Sequence, residues 1–202
     1  MENNCVIIFI KNPVYGKVKT RLAKTVGNDK ALEVYLKLLD HTHDVTRYVV
    51  HDRSLYYSDF IDDDDMWGNN DYAKYLQEGN DLGERMLHAF KQTIGQGYDK
   101  AVLIGSDCPE ITGDHIDRAF EELDTNDVVL GPAKDGGYYL IGMKKVMESL
   151  FKDKEWSTEN VLLDTVSDLQ KQSKTMAFLE TLTDLDTDEE LILLEKLNKF
   201  HN

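Results

Sequence analysis

Short, continuous apolar runs alternate with longer amphipathic stretches along this chain of 202 residues. The runs at residues 5–10, 54–58, 73–76, 101–104, 127–130, 138–143 and 175–179 have the length and apolar content of strands. Between them apolar residues recur at helical spacing: Leu32, Tyr35, Leu36 and Leu39, then Leu82, Met86, Leu87 and Phe90, then Ile116, Ala119, Phe120 and Leu123, and finally Leu191, Leu194 and Leu197. Strand and helix in alternation predict a doubly wound α/β fold, a three-layer α/β/α sandwich around a mostly parallel, Rossmann-like sheet. No repeat or Pro- or Ser-rich linker interrupts the pattern, so a single domain over residues 1–202 is expected. In such sheets ligands bind beyond the carboxyl ends of the strands. The segments after Ile10, Leu76, Ile104 and Leu130 are therefore where chemistry is expected.

Composition narrows the partners. With 23 Lys+Arg against 38 Asp+Glu the formal net charge is −15, which repels nucleic-acid phosphate and anionic membrane surfaces. The longest apolar run, residues 6–10, is too short to cross a bilayer, so membrane insertion is not expected. Cys5 and Cys108 have no companions at disulfide or zinc spacing and suit a reducing cytoplasm. The acidity is uneven: the first 24 residues set Lys11, Lys17, Lys19, Arg21 and Lys24 against Glu2 alone.

That basic segment follows the first strand and enters a helix through a turn containing Pro13 and Gly16. An exposed helix N-terminus contributes only about 0.3–1 kcal/mol to anion binding. A diphosphate would need Lys11, Lys17, Lys19 and the forked guanidinium of Arg21 as well; a solvated basic turn is the alternative. The spacing is neither G-x-x-x-x-G-K-[ST] nor G-x-G-x-x-G, which counts against a P-loop NTPase and a dinucleotide enzyme.

After the third run, Gly79 and Gly83 leave room for close approach, Asn80 or Asp81 caps a helix, and Arg85 sits in its first turn against the dipole. A wall touching base, ribose or phosphate would explain that arginine. Asp107 follows the strand at 101–104 with no basic neighbour close after it, a suitable ligand for Mg²⁺ or Mn²⁺; a turn aspartate is the alternative, although Thr112 and Asp114 are better placed to cap the next helix. Asp135-Gly136-Gly137 could be a tight turn, yet the loop is longer than a two-residue hairpin needs and Tyr138 and Tyr139 follow directly. Asp135 could join Asp107 on a cation or position an acceptor.

In this order the loops resemble a family of GT-A-type glycosyltransferases in the nucleotide-diphospho-sugar transferase superfamily, some of whose members are associated with arsenosugar biosynthesis. The resemblance rests on Lys11, Pro13, Gly16, Lys19-Thr20-Arg21-Leu22, Gln77, Gly79, Asp81-Leu82-Gly83-Glu84-Arg85-Met86, Gly105-Ser106-Asp107-Cys108-Pro109, Gly131-Pro132, Asp135-Gly136-Gly137-Tyr138-Tyr139, Trp156-Ser157-Thr158 and Asp184-Leu185-Asp186-Thr187. It implies a GT-A-like fold, a nucleotide-sugar donor, a small-molecule acceptor and a divalent cation. The wider superfamily includes nucleotidyltransferases, which use an NTP and release pyrophosphate.

This chain lacks their G-x-G-T-R loop, and it lacks the D-x-D of many glycosyltransferases, having Ser106 before a single Asp107. The second metal ligand is Asp135 by loop position, or Asp186 because a comparable residue near the last helix serves in related nucleotidyltransferases. Asp184 and Asp186 also read as N-cap residues before a helix at 188–196. On this reading Arg21 neutralises the leaving nucleotide, Asp135 is the candidate base, and Gly16, Gly79, Asp81, Arg85, Gly136 and Gly137 join Lys11 and Lys19 in binding substrate. A non-catalytic nucleotide-binding regulator is the remaining alternative. His41, His43, His88 and His115 read as helix or packing residues, residues 59–71 as a solvated acidic loop, and Trp67 and Trp156 as packing or a sugar wall.

Overall fold

The computed structural model describes residues 3–197, with side chains described up to residue 194; Leu197, last of the apolar positions read from the sequence, has its side chain outside that range. The elements run β1 (Asn4–Ile10), α1 (Thr20–Val26), α2 (Asn28–Thr46), β2 (Asp52–Tyr57), β3 (Ala73–Leu76), α3 (Leu82–Gly95), β4 (Lys100–Gly105), α4 (Gly113–Thr125), β5 (Val128–Pro132), β6 (Tyr138–Met143), α5 (Val161–Lys171), β7 (Met176–Phe178) and α6 (Ile192–Leu197). Short 3₁₀ turns at Glu148–Leu150 and Asp188–Leu191 complete them. The described strands form one seven-stranded sheet in the order β3-β2-β1-β4-β6-β5-β7.

Every pairing is parallel except those of β6, which runs antiparallel to both β4 and β5. A fully parallel sheet would need a crossover of a dozen or more residues between β5 and β6, and residues 133–137 are too few. The reversal has a functional consequence. It brings the start of β6, and Asp135 just before it, to the edge where β1 and β4 end, because Ile104 pairs with Leu140 and Pro132 with Tyr138.

β1 is buried at every residue, as a central strand covered on both faces requires. Val6, Ile8 and Ile10 pack with Tyr35 and Leu39 of α2 and Ile116 and Phe120 of α4. Ile7 and Phe9 point the other way, against Met86 and Phe90 of α3 and Leu169 of α5. A satellite cluster of Leu22, Val34, Leu38 and Leu185 fastens α1 to α2 and to the segment before α6.

Local chemistry sets the helix starts. Asp81 accepts a hydrogen bond from Glu84 N at 2.8 Å to cap α3. Thr112 caps α4 through a capping box closed by His115. Several expectations are corrected. The last helix, expected over 188–196, opens as a 3₁₀ turn at Asp188–Leu191. Thr187, with Glu190, provides its cap, so Asp184 and Asp186 are not caps. The acidic loop is also more than a solvated face: Asp65 accepts from Tyr57 Oη at 2.6 Å and from Lys74 Nζ at 2.8 Å, and the Lys74 side chain is only 6% exposed.

Candidate active site

Register places the chemistry. Phe9 pairs with Gly105, so the loops leaving β1 and β4 emerge side by side. Tyr35, buried on α2, fastens them together: its hydroxyl accepts from Lys11 N at 2.8 Å and lies 3.3 Å from Ser106 Oγ. Asn12, 2% exposed, ties the first loop to the end of β2, its Oδ1 accepting from Asp59 N at 3.0 Å and its Nδ2 donating to Phe60 O at 2.8 Å. Leu185 N donates to Asp107 O at 2.9 Å, which draws the segment before α6 against the same loop.

These loops surround a cavity of about 400 Å³. Lys11 and Lys19 line it from the first loop, Arg21 from the start of α1, Asp107 from the end of β4, Asp135 and Gly137 from the turn before β6, and Asp184 and Asp186 from the segment before α6. Gln77, Leu82 and Met86 form another wall with Trp156, Ser157 and Thr158. Residues widely separated in sequence thus meet in one place.

The cavity's electrostatics centre on Lys19. Its ammonium lies 2.6 Å from Asp107 Oδ1 and 3.4 Å from Asp186 Oδ1, with its side chain 4% exposed. Asp107, unpaired when judged by its sequence neighbours, therefore has a partner on another strand's loop. Arg21 Nη1 approaches Asp186 Oδ2 at 3.3 Å and is largely exposed. Lys19 has a left-handed backbone, φ 46° and ψ 45°, uncommon for a residue with a Cβ and typical of functional loops.

Asp184, not singled out from the sequence as a site residue, stands out here. Burial first, then the charges of Asp107 and Asp135, push its carboxyl up to about 7 despite Lys19. Its Oδ1 is buried with no hydrogen-bond partner among the described residues. The matching Asp184-Leu185-Asp186-Thr187 string was the available signal, but sequence alone does not say which of its two aspartates turns inward.

The other expected residues are placed as follows. Asp135 Oδ1 accepts from Gly137 N at 2.9 Å, closing the turn. Gly16, Gly79, Asp81, Arg85 and Gly136 do not line the cavity. Arg85 Nε donates to Gly79 O at 3.1 Å, and its Nη1 reaches Gln77 Oε1 at 3.4 Å, so it steadies a lining residue from behind. Gly136 has φ +91°, and a Cβ there would overlap the Glu159 carbonyl. Trp156 belongs to the wall, whereas Trp67, 2% exposed, packs in the core with Tyr72 and His43. Cys108 reaches the lining, but burial pushes its thiol up and away from reactive thiolate. Among the described residues no three His, Cys, Asp or Glu side chains form a ready-made metal cluster.

A family described as "uncharacterized protein conserved in bacteria (DUF2064)" matches residues 39–158. None of the curated proteins compared matches the sequence. Among solved structures, a proposed nucleotide-diphospho-sugar transferase from Desulfovibrio desulfuricans is 34% identical with a TM-score of 0.87, covering 98% of this chain and 89% of that one. A 4-diphosphocytidyl-2C-methyl-D-erythritol synthase from Anaerococcus prevotii is 11% identical with a TM-score of 0.61, covering 98% of this chain and 96% of that one. A cytidylyltransferase from Leptospira borgpetersenii is 14% identical with a TM-score of 0.61, covering 99% of this chain and 95% of that one. The last two show likeness of fold.

Proposed function

The chain belongs to the DUF2064 family and has the nucleotide-diphospho-sugar transferase fold, and from that premise we propose that it is a metal-dependent glycosyltransferase. It moves a sugar from a nucleoside-diphosphate sugar to the hydroxyl of a small acceptor. The observation that carries this reading is one cavity that gathers Lys11, Lys19 and Arg21 against Asp107, Asp135, Asp184 and Asp186. Cations answer the diphosphate, and carboxylates answer a divalent ion and the acceptor proton.

The donor set suits Mg²⁺ or Mn²⁺. Such an ion commonly uses one or two protein carboxylates and takes its remaining ligands from phosphate and water. Asp107 and Asp186, whose oxygens share the Lys19 ammonium, would hold it, with Asp135 as a further candidate. When bound, the ion would neutralise charge on the diphosphate.

The rest of the chemistry falls to the chain itself. Lys19 and Arg21 would stabilise the charge that grows on the departing nucleoside diphosphate, an interaction stronger in the transition state than in the ground state. Asp135 would accept the acceptor hydroxyl's proton as the acceptor oxygen bonds to the anomeric carbon and the bond from that carbon to the phosphate oxygen breaks. Trp156 offers an aromatic face for a sugar or acceptor.

One feature favours glycosyl over nucleotidyl transfer. Among the described residues, every Lys or Arg lining the cavity lies in the first loop or at the start of α1. A phosphorylated acceptor would need further cations, and the rest of the lining offers Tyr138, Trp156 and Val161 instead. Product analysis tests the assignment: NDP release from a nucleotide sugar supports it, whereas pyrophosphate release from an NTP would assign the chain to the nucleotidyltransferases. Nucleotide affinity with turnover of neither donor class would leave a regulatory binding domain. No helix among the described residues is long and apolar enough to cross a membrane. The two unpaired cysteines are in keeping with a cytoplasmic setting.

A further inference from the structure

Lys19 is unusually placed for a lysine that binds phosphate. Its side chain is almost fully buried, and its ammonium rests between Asp107 and Asp186 at 2.6 and 3.4 Å. The left-handed backbone that aims it there is an uncommon conformation for a residue with a Cβ. Lys11, on the same loop, has an exposed side chain and no ion pair among the described residues. Lys19 thus fills with its own positive charge the space between the two carboxylates best suited to a divalent cation.

Two physical consequences follow. A free divalent cation would have to take these half-exposed carboxylates from Lys19 and then sit beside the displaced ammonium of a buried side chain, and these like charges repel. A diphosphate removes both obstacles. Its oxygens give the ammonium a new charge-assisted partner and supply ligands that the carboxylates alone do not provide. Arg21 cannot do the same, because it is exposed and reaches Asp186 only.

We infer that Lys19 makes metal binding conditional on the donor: the site discriminates against a free divalent cation and admits it together with a nucleoside diphosphate, as Lys19 passes from Asp107 to phosphate. The ligand is therefore a cation–diphosphate complex. This inference rests on the functional reading above. By linkage the diphosphate must raise metal affinity by the same factor as the metal raises diphosphate affinity, and coupling of this kind is usually about 5–150-fold.

The test is Mn²⁺ binding, read from the electron paramagnetic resonance of the free ion, with and without a panel of nucleoside diphosphates. Wild type is compared with Lys19→Gln and with Lys19→Asn, whose short amide tolerates the left-handed backbone; circular dichroism confirms folding. Wild type should bind Mn²⁺ weakly alone and much more tightly with a diphosphate. The folded variants should bind free Mn²⁺ roughly tenfold or more tightly than wild type, and should lose most of the coupling. Unchanged or weaker Mn²⁺ binding in both folded variants would overturn the role of Lys19 while leaving the metal-and-donor reading intact. Failure of wild type to take up Mn²⁺ with any nucleoside diphosphate would overturn that reading, and the inference with it.

Discussion

Gly136→Ala tests how the cavity is built. Gly136 sits between Asp135 and Gly137 with φ +91°, donates from its N–H to Ala133 O at 3.1 Å and accepts from Leu162 N at 3.0 Å. A Cβ at this position would overlap the Glu159 carbonyl, which is backbone and cannot swing aside. The left-handed conformation costs a residue with a Cβ about 1–2 kcal/mol, and relieving the overlap costs about 1–3 kcal/mol more. Together they predict a loss of about 2–5 kcal/mol, and a domain of this size loses about 2–4 °C of Tm per kcal/mol. Urea unfolding followed by far-UV circular dichroism measures this directly, with an unchanged m-value confirming that the loss lies in the native state. Gly95→Ala is the control: it ends α3, its Cβ would meet nothing within 4 Å, and its φ is not positive. It should be neutral or stabilising by up to about 1 kcal/mol. A change below about 0.5 kcal/mol for Gly136→Ala, within the scatter of ordinary surface substitutions, would refute the view that this glycine locks the turn before β6 against the start of α5.

Other expectations follow from the same geometry. Tyr35→Phe removes the acceptor of Lys11 N and should cost about 1–3 kcal/mol in chemical denaturation; a cost near zero would mean that the hydroxyl does not fasten the two loops. Lys74→Met leaves Asp65 half of a largely buried pair and should cost about 3 kcal/mol or more, and a loss under 1 kcal/mol would show that the acidic loop is not organised by that pair. Burial holds His51 below its ordinary value beside Phe120. Its contribution to stability is therefore complete above the unfolded pKa and lost as pH falls through the folded one. His51→Asn should shrink the fall in urea midpoint between pH 7.5 and 5.5, and an identical fall in the variant would refute this. Burial also pushes both thiols up, so a disulfide reagent at pH 8 should label Cys5 and Cys108 only after unfolding; rapid native labelling would contradict their placement.

The parts of this molecule that the sequence revealed are those governed by local pattern. The unbroken apolar run of β1 requires burial on both faces, and the spacing of Leu82, Met86 and Phe90 lies directly on α3. Other features depended on contacts distant along the chain. Lys19 and Asp107 meet because Phe9 pairs with Gly105, and Asp184 turns inward because Leu185 bonds back to Asp107. Neither relation is visible from flanking residues. The reversal of β6 was implicit in the short connection after β5, but strand–helix alternation elsewhere favoured a parallel reading. The helix α5 was not read at all. The signal was present, since Asn160 stands directly before the apolar Val161 and Leu162, and Leu162, Val166 and Leu169 recur at helical spacing. At the site, Lys11, Lys19, Arg21, Asp107 and Asp135 were identifiable as residues following strands, and Asp186 through the family resemblance; the structure gathers them at one cavity. Arg85 was identifiable too, but its partners are Gly79 and Gln77.

The central claim is that this cavity binds a nucleotide sugar through a divalent ion held at Asp107. Thermal unfolding in nucleoside-diphosphate sugars, with Mn²⁺ or with chelator, for wild type and Asp107→Asn, tests it most directly. At a hundredfold excess over Kd, binding stabilises the folded state by about 2.7 kcal/mol, which at about 2–4 °C per kcal/mol corresponds to a rise of about 5–11 °C. The account predicts that rise for at least one nucleotide sugar with wild type and Mn²⁺, and its loss in chelator and in Asp107→Asn. A rise of equal size in Asp107→Asn, or none with any nucleotide sugar, would contradict it.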